Sequence, residues 1–155
     1  MDFLIFALPR SGSAWLANFL TYGECFCFHE PLAGGSLERL GRPAEIVGAA
    51  DTGAYLFPVK AEREYALIRH PQAVTYSLVK QGLMPLQDWQ RFHERTRGLV
   101  TFRYESLFDL GYLREVWREI VGTAFAHERA EQLIEMNVQH DIPTLAARAV
   151  GTYGA

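Results

Sequence analysis

Arg10, Ser11, Gly12 and Ser13, near the amino terminus, have the types and spacing that hold an oxyanion. A guanidinium fork, two hydroxyls and a Gly that admits close backbone approach are the chemistry of phosphate binding. His29 and Glu30 supply an imidazole and a carboxylate, side chains that accept protons. Arg69, with Ser77 eight positions later, repeats the pairing of guanidinium and hydroxyl and is a candidate for a second phosphate. The plainer alternatives are a solvent-facing Arg10 in an ordinary turn, a surface carboxylate at Glu30, a surface ion pair at Arg69 and a helix-face hydroxyl at Ser77.

The elements that must position these residues are legible in the apolar pattern. Phe3 to Leu8 reads as a buried strand, Pro9 to Ser13 breaks it, and Trp15, Leu16, Phe19 and Leu20 then repeat with helical spacing. In a strand, tight loop and helix, the loop N–H groups and the helix's unpaired first-turn N–H groups converge where the helix dipole favours negative charge. The loop is not a Walker A motif, G-x-x-x-x-G-K-[ST], since no Lys follows Gly12. Tyr22-Gly23 stops the helix, and Glu24 to Phe28 reads as a second strand ending at His29-Glu30-Pro31. Ligand crevices of open parallel sheets lie outside the strands' carboxyl ends, so His29 and Glu30 are expected beside the Arg10 loop, pointing different ways.

Residues 37–50 read as mixed, with short helical stretches broken at Gly41-Arg42-Pro43. Asp51-Thr52-Gly53 reads as a turn before a short strand at Ala54 to Phe57, and Lys60 to Glu64 as an exposed charged connection. Tyr65 to Ile68 is the next buried strand; it leads through Arg69 into a helix that starts at Pro71 and stops at Gly82. Pro85 to Arg97 is a predicted helix with Trp89 and Phe92 inward, and Leu99 to Arg103 a strand. Helices are expected over 110–121 and 126–136, with a short one over 143–150 before a Gly-rich end.

Three motifs, in order, resemble those of the sulfotransferases that use 3'-phosphoadenosine-5'-phosphosulfate (PAPS). Pro9-Arg10-Ser11-Gly12-Ser13-Ala14-Trp15-Leu16 resembles the family's P-[KR]-S-G-[ST]-[ST]-x-L loop, with Ala14 in place of a second hydroxyl. The Arg69 and Ser77 spacing is similar to the 3'-phosphate motif, and Tyr104-Glu105-Ser106-Leu107 is similar to Y-E-[DS]-L. The resemblance spans about residues 3–138, and the family's late R-K-G-x-x-G loop has only Arg148 and Gly151 as an echo. It implies an α/β three-layer sandwich, a central mostly parallel sheet flanked by helices in the P-loop-NTPase-like sulfotransferase fold. It further implies sulfuryl transfer from PAPS to a hydroxyl or amine acceptor, with PAP, the 3',5'-bisphosphate, as product. Arg10, Ser11, Gly12, Ser13, Ala14 and Trp15 would hold the 5' end, Arg69 and Ser77 the 3'-phosphate, and Tyr104 would lie near the adenine. Glu30, or next to it His29, would be the base, Arg10 would stabilise the transferred charge, and no metal is required.

Length and composition set the bounds. At 155 residues the chain reads as one domain, 1–155. A net charge of -3 argues against general nucleic-acid binding while leaving room for a local basic site. Met1 leads straight into the first strand and no apolar stretch reaches membrane-spanning length, so the expectation is a cytoplasmic protein with no membrane partner. Cys25 and Cys27 would share one strand face as buried reduced thiols. Two other classes remain open: a P-loop-like small-molecule kinase, and a non-catalytic PAP-binding relative. Trp89, Trp117 and the tail are candidates for a homodimer interface.

Overall fold

Every residue of Phe3–Ala7 is buried, and the strand they form, β1, is the middle of a five-stranded sheet. The computed structural model describes residues 1–34 and 40–136; the predicted helix over 143–150 and the Gly-rich end lie outside them. The other strands are β2 (Cys25–His29), β3 (Ile46–Asp51), β4 (Arg63–Ile68) and β5 (Val100–Arg103). Their order is β2-β3-β1-β4-β5, and every pairing is parallel. The helices are α1 (Ser13–Leu20), α2 (Pro71–Lys80), α3 (Trp89–Thr96), α4 (Leu110–Ile120) and α5 (His127–Met136).

Alternation along β1 builds two cores. Phe3, Ile5 and Ala7 pack with Trp15 and Phe19 of α1, Trp117 and Ile120 of α4, and Leu133 of α5. Leu4, Phe6 and Leu8 face the other way, onto a smaller cluster with Tyr55 and Phe92 of α3. The result is an α/β domain whose all-parallel sheet is flanked by helices on both faces, the layering that the alternation of strands and helices predicts. Among the described residues no helix is long and apolar enough to cross a membrane.

The region read as mixed and partly helical contains β3, a direct partner of β1. Its Gly48-Ala49-Ala50 has weak strand propensity by composition, and the reason for such small residues is packing. A Cβ on Gly48 would lie 2.3 Å from the Phe3 ring on the neighbouring strand. Ala54–Leu56 is a turn of 3-10 helix rather than a strand, closed by the Leu56 N–H donating to the Gly53 carbonyl at 3.0 Å. Arg63 and Glu64 belong to β4 instead of a free connection: Arg63 donates to the Ile120 carbonyl at 2.9 Å, and Glu64 pairs with Arg95 at 2.9 Å. The third helix starts at Trp89, later than Pro85, and Phe92 is buried as expected. Cys25 and Cys27 are buried free thiols on the larger core's side, and burial pushes the Cys25 thiol up to about 12.

One contact set fixes α1, and with it the loop that precedes it. A helix end leaves carbonyls without intrahelical partners. Arg129 of α5 donates to three main-chain carbonyls at this end, of Asn18 (2.5 Å), Phe19 (2.7 Å) and Thr21 (3.0 Å). At the other end of α1 the Trp15 indole donates to the Leu133 carbonyl at 3.2 Å, so α5 braces α1 along its length.

Candidate functional site

The chain leaves β1 toward β2 on one side and leaves β4 toward β5 on the other, so the winding reverses between these neighbouring strands. A crevice opens at the carboxyl ends where such a reversal occurs. A cavity of about 280 Å³ lies there, and all five strands deliver residues to its wall. Arg10 follows β1, His29 ends β2 with Glu30 after it, Thr52 follows β3, Arg69 follows β4 and Tyr104 follows β5.

The loop after β1 turns through two left-handed residues, Arg10 (φ 63°) and Gly12 (φ 83°). Gly12 caps α1 without any side-chain hydrogen bond. The first helical bond runs from the Leu16 N–H to the Gly12 carbonyl at 2.9 Å, which puts the N–H groups of Ser13, Ala14 and Trp15 ahead of the ladder. Only Gly fits here on a second count, since a Cβ would lie 2.7 Å from the Tyr104 ring. Arg10, Gly12, Ser13 and Ala14 line the cavity. The side chains of Ser11 and Trp15 do not: the Ser11 hydroxyl donates to the Leu8 carbonyl at 2.5 Å and braces the turn, and the Trp15 ring is fully buried and stacked on Phe19. Trp15 has only its main-chain N–H to offer a ligand.

The Arg69 junction reaches the same place. Arg69 Nη1 donates to the Arg10 carbonyl at 2.7 Å, and its guanidinium lies 4.2 Å from the centre of the Tyr104 ring. Arg10 Nε donates to Ser77 Oγ at 3.1 Å, across 67 residues of sequence. Glu105 accepts from the His70 N–H at 2.7 Å, tying the turn after β5 to the start of α2. Arg10, Arg69, Ser77 and Tyr104 therefore form one cluster rather than four separate surface features.

The opposite wall carries the proton-accepting groups. His29 and Glu30 do not diverge as strand neighbours would; Glu30 lies past the strand end with φ 52°, and its Oε1 stands 3.4 Å from His29 Nε2. Thr52 holds the carboxylate from the other side, its Oγ1 donating to Oε2 at 3.0 Å and its N–H lying 3.3 Å from both oxygens. Burial, then the nearby Asp51 charge, raises the Glu30 carboxyl above the usual range, and the Thr52 bonds oppose this. Burial lowers the His29 imidazole, with Asp51 acting the other way. Ser13 Oγ lies 3.2 Å from His29 Nε2, the same nitrogen that faces Glu30. A Ser-His-acid hydrolase triad needs the hydroxyl and the acid on opposite ring nitrogens, so this is not one.

Compared with protein-family models, with curated proteins and with solved structures, the chain matches none of them. Its chemistry rests on the geometry alone. That geometry offers an anion cradle of main-chain N–H groups and two guanidinium groups, facing a carboxylate and an imidazole. Asp51 ends β3 and is buried. Its two oxygens accept from the Gly53 N–H (2.7 Å) and the Leu32 N–H (3.0 Å), so it clamps loops. Among the described residues no group of three or more His, Cys, Asp or Glu is placed to hold a metal ion. Thr52 is the wall residue that the sequence reading passed over, as part of a turn. Its place directly after a strand that pairs with β1 emerges only with β3 itself, which the sequence does not mark.

Proposed function

We propose that this chain is a PAPS-dependent sulfotransferase of the P-loop-like α/β type, moving a sulfuryl group to a hydroxyl or amine acceptor and releasing PAP. One observation carries the reading: the Arg10 turn and the Arg69–Ser77 junction, far apart in sequence, touch each other and line one cavity. Two cationic junctions on a shared cavity suit a ligand with an anionic group at each end. The cavity is at the small end for ligand pockets, so part of an adenosine bisphosphate would lie at its open mouth, on the Tyr104 side.

In the proposed reaction the acceptor oxygen or nitrogen attacks sulfur in line as the bond from sulfur to the phosphate oxygen breaks. The acceptor's proton passes to Glu30, or to His29 beside it, and PAP leaves with the electron pair of the broken bond. Negative charge builds on the transferred group and the leaving phosphate, where fixed donors act without reorganising. Arg10 and the N–H groups from Ser13 to Trp15 are those donors.

The test is transfer of label from radiolabelled PAPS to a panel of alcohols, phenols and amines, with Glu30→Gln and His29→Ala as controls. Turnover that falls about 100-fold or more in Glu30→Gln supports Glu30 as base. Undiminished turnover in that variant removes the assignment.

A further inference from the structure

We infer that Thr52 is a positioning residue that aims the Glu30 carboxylate into the cavity and keeps it ready to accept a proton. The inference deepens the transfer reading given above, on which its purpose rests, but its test needs neither donor nor acceptor.

Two neighbours from the β3 side hold Glu30. Its backbone is left-handed at φ 52°, a conformation that strains a non-Gly residue, and its N–H is fixed by the Ala50 carbonyl at 3.0 Å. The backbone is therefore set by β3, and the side chain is set by the residue that follows β3. Thr52 Oγ1 donates to Oε2 at 3.0 Å, which turns Oε1 toward His29 Nε2, 3.4 Å away. Ser13 Oγ stands 3.2 Å from that same nitrogen. A polar chain thus runs from Thr52 through Glu30 and His29 to the first residue of α1, and Thr52 is its fixed end.

The hydroxyl also bears on protonation. Glu30 is faced by His29 from the end of β2 and by Asp51 from the end of β3, while Arg10 and Arg69 line the same cavity. Asp51 and burial both favour the neutral acid, which cannot accept a proton. The Thr52 hydroxyl and N–H bond to the charged form and counter them. The N–H remains in any substitution but proline, whereas the hydroxyl is removed by Thr52→Val with the side chain's shape retained.

The experiment is a carbon-13 NMR titration of the Glu30 carboxyl in the free wild-type chain and in Thr52→Val, Thr52→Ser and Thr52→Ala. The Glu30 signal is assigned by its loss in Glu30→Gln. The midpoint should move up by about half a unit or more in Thr52→Val and Thr52→Ala, and return toward wild type in Thr52→Ser. Equal midpoints in all four proteins overturn the inference. So does an equal shift in Thr52→Ser and Thr52→Val, because Thr52→Ser keeps the hydroxyl and its loss would then not be what moves the midpoint. Failure of PAP to bind, measured separately, would count against the transfer reading and leave these midpoints unaffected.

Discussion

Arg69 Nη1 donates to the main-chain carbonyl of Arg10 at 2.7 Å, so the residue proposed to hold one phosphate also holds the loop proposed to bind the other. Ser77 repeats the link by accepting from Arg10 Nε at 3.1 Å. The two ends of the site are thus mechanically coupled. Replacing Arg69 should disturb both ends, not one.

A double-mutant cycle exposes this coupling. Arg10→Ala and Arg69→Ala should be non-additive in PAP affinity, with an interaction energy of about 1 kcal/mol or more, because residues in one hydrogen-bonded network rarely add. Calorimetric titration of PAP against the four proteins gives the number. Strict additivity would show that the Arg10 side chain and Arg69 act on the ligand independently, since Arg10→Ala leaves the main-chain carbonyl that accepts the 2.7 Å bond in place.

Gly12 carries two separate demands, a left-handed backbone at φ 83° and a Tyr104 ring 2.7 Å from where a Cβ would sit. Gly12→Ala should lower thermal stability by about 2–4 kcal/mol, combining conformational strain of about 1–2 with overpacking of similar size. Adding Tyr104→Ala should relieve the overpacking and leave the strain. Thermal melts of the two variants and of Tyr104→Ala alone separate the parts.

Gly48→Ala is the control that touches the fold and not the site. The new methyl meets the Phe3 ring at 2.3 Å in the middle of the sheet, so unfolding free energy should fall by about 1–3 kcal/mol. Affinity for PAP at a temperature where the variant is folded should stay at its wild-type value.

The pH dependence follows from His29. Its folded pKa lies below its unfolded value of 6.5, so its contribution to stability is fully present above pH 6.5 and is lost as pH falls through the folded value. Urea unfolding at a series of pH values between 7.5 and 5 should show wild type losing more stability than His29→Gln. Parallel curves would mean that the imidazole is as free to charge in the folded chain as in the unfolded one.

How much of this was legible in the sequence depends on what each residue's type encodes. Phe3 to Leu8 and the shorter Tyr65 to Ile68 are apolar runs, each followed within three residues by Pro, and such runs report a buried strand and its end by themselves. Both cationic junctions were therefore placed correctly at strand ends. β3 was not legible, because Gly48-Ala49-Ala50 is a strand only by virtue of Phe3 next to it, and that neighbour is 45 residues away. The convergence of His29 and Glu30 was hidden for a related reason: strand alternation governs β2, and Glu30 has already left it through a left-handed turn. Ser11 and Trp15 sit inside the Pro9–Leu16 segment proposed to bind phosphate, yet the side chains serve the turn and the core. A motif names positions; burial decides which atoms of them are presented.

The most direct measurement compares the calorimetric affinities of PAP, 5'-AMP and 3'-AMP for the wild-type chain in one buffer. If the Arg10 loop and the Arg69–Ser77 junction grip opposite ends of one molecule, PAP should bind about tenfold or more tighter than either monophosphate. PAP binding no tighter than 5'-AMP would contradict the account, because the second junction would then be holding the loop and nothing else.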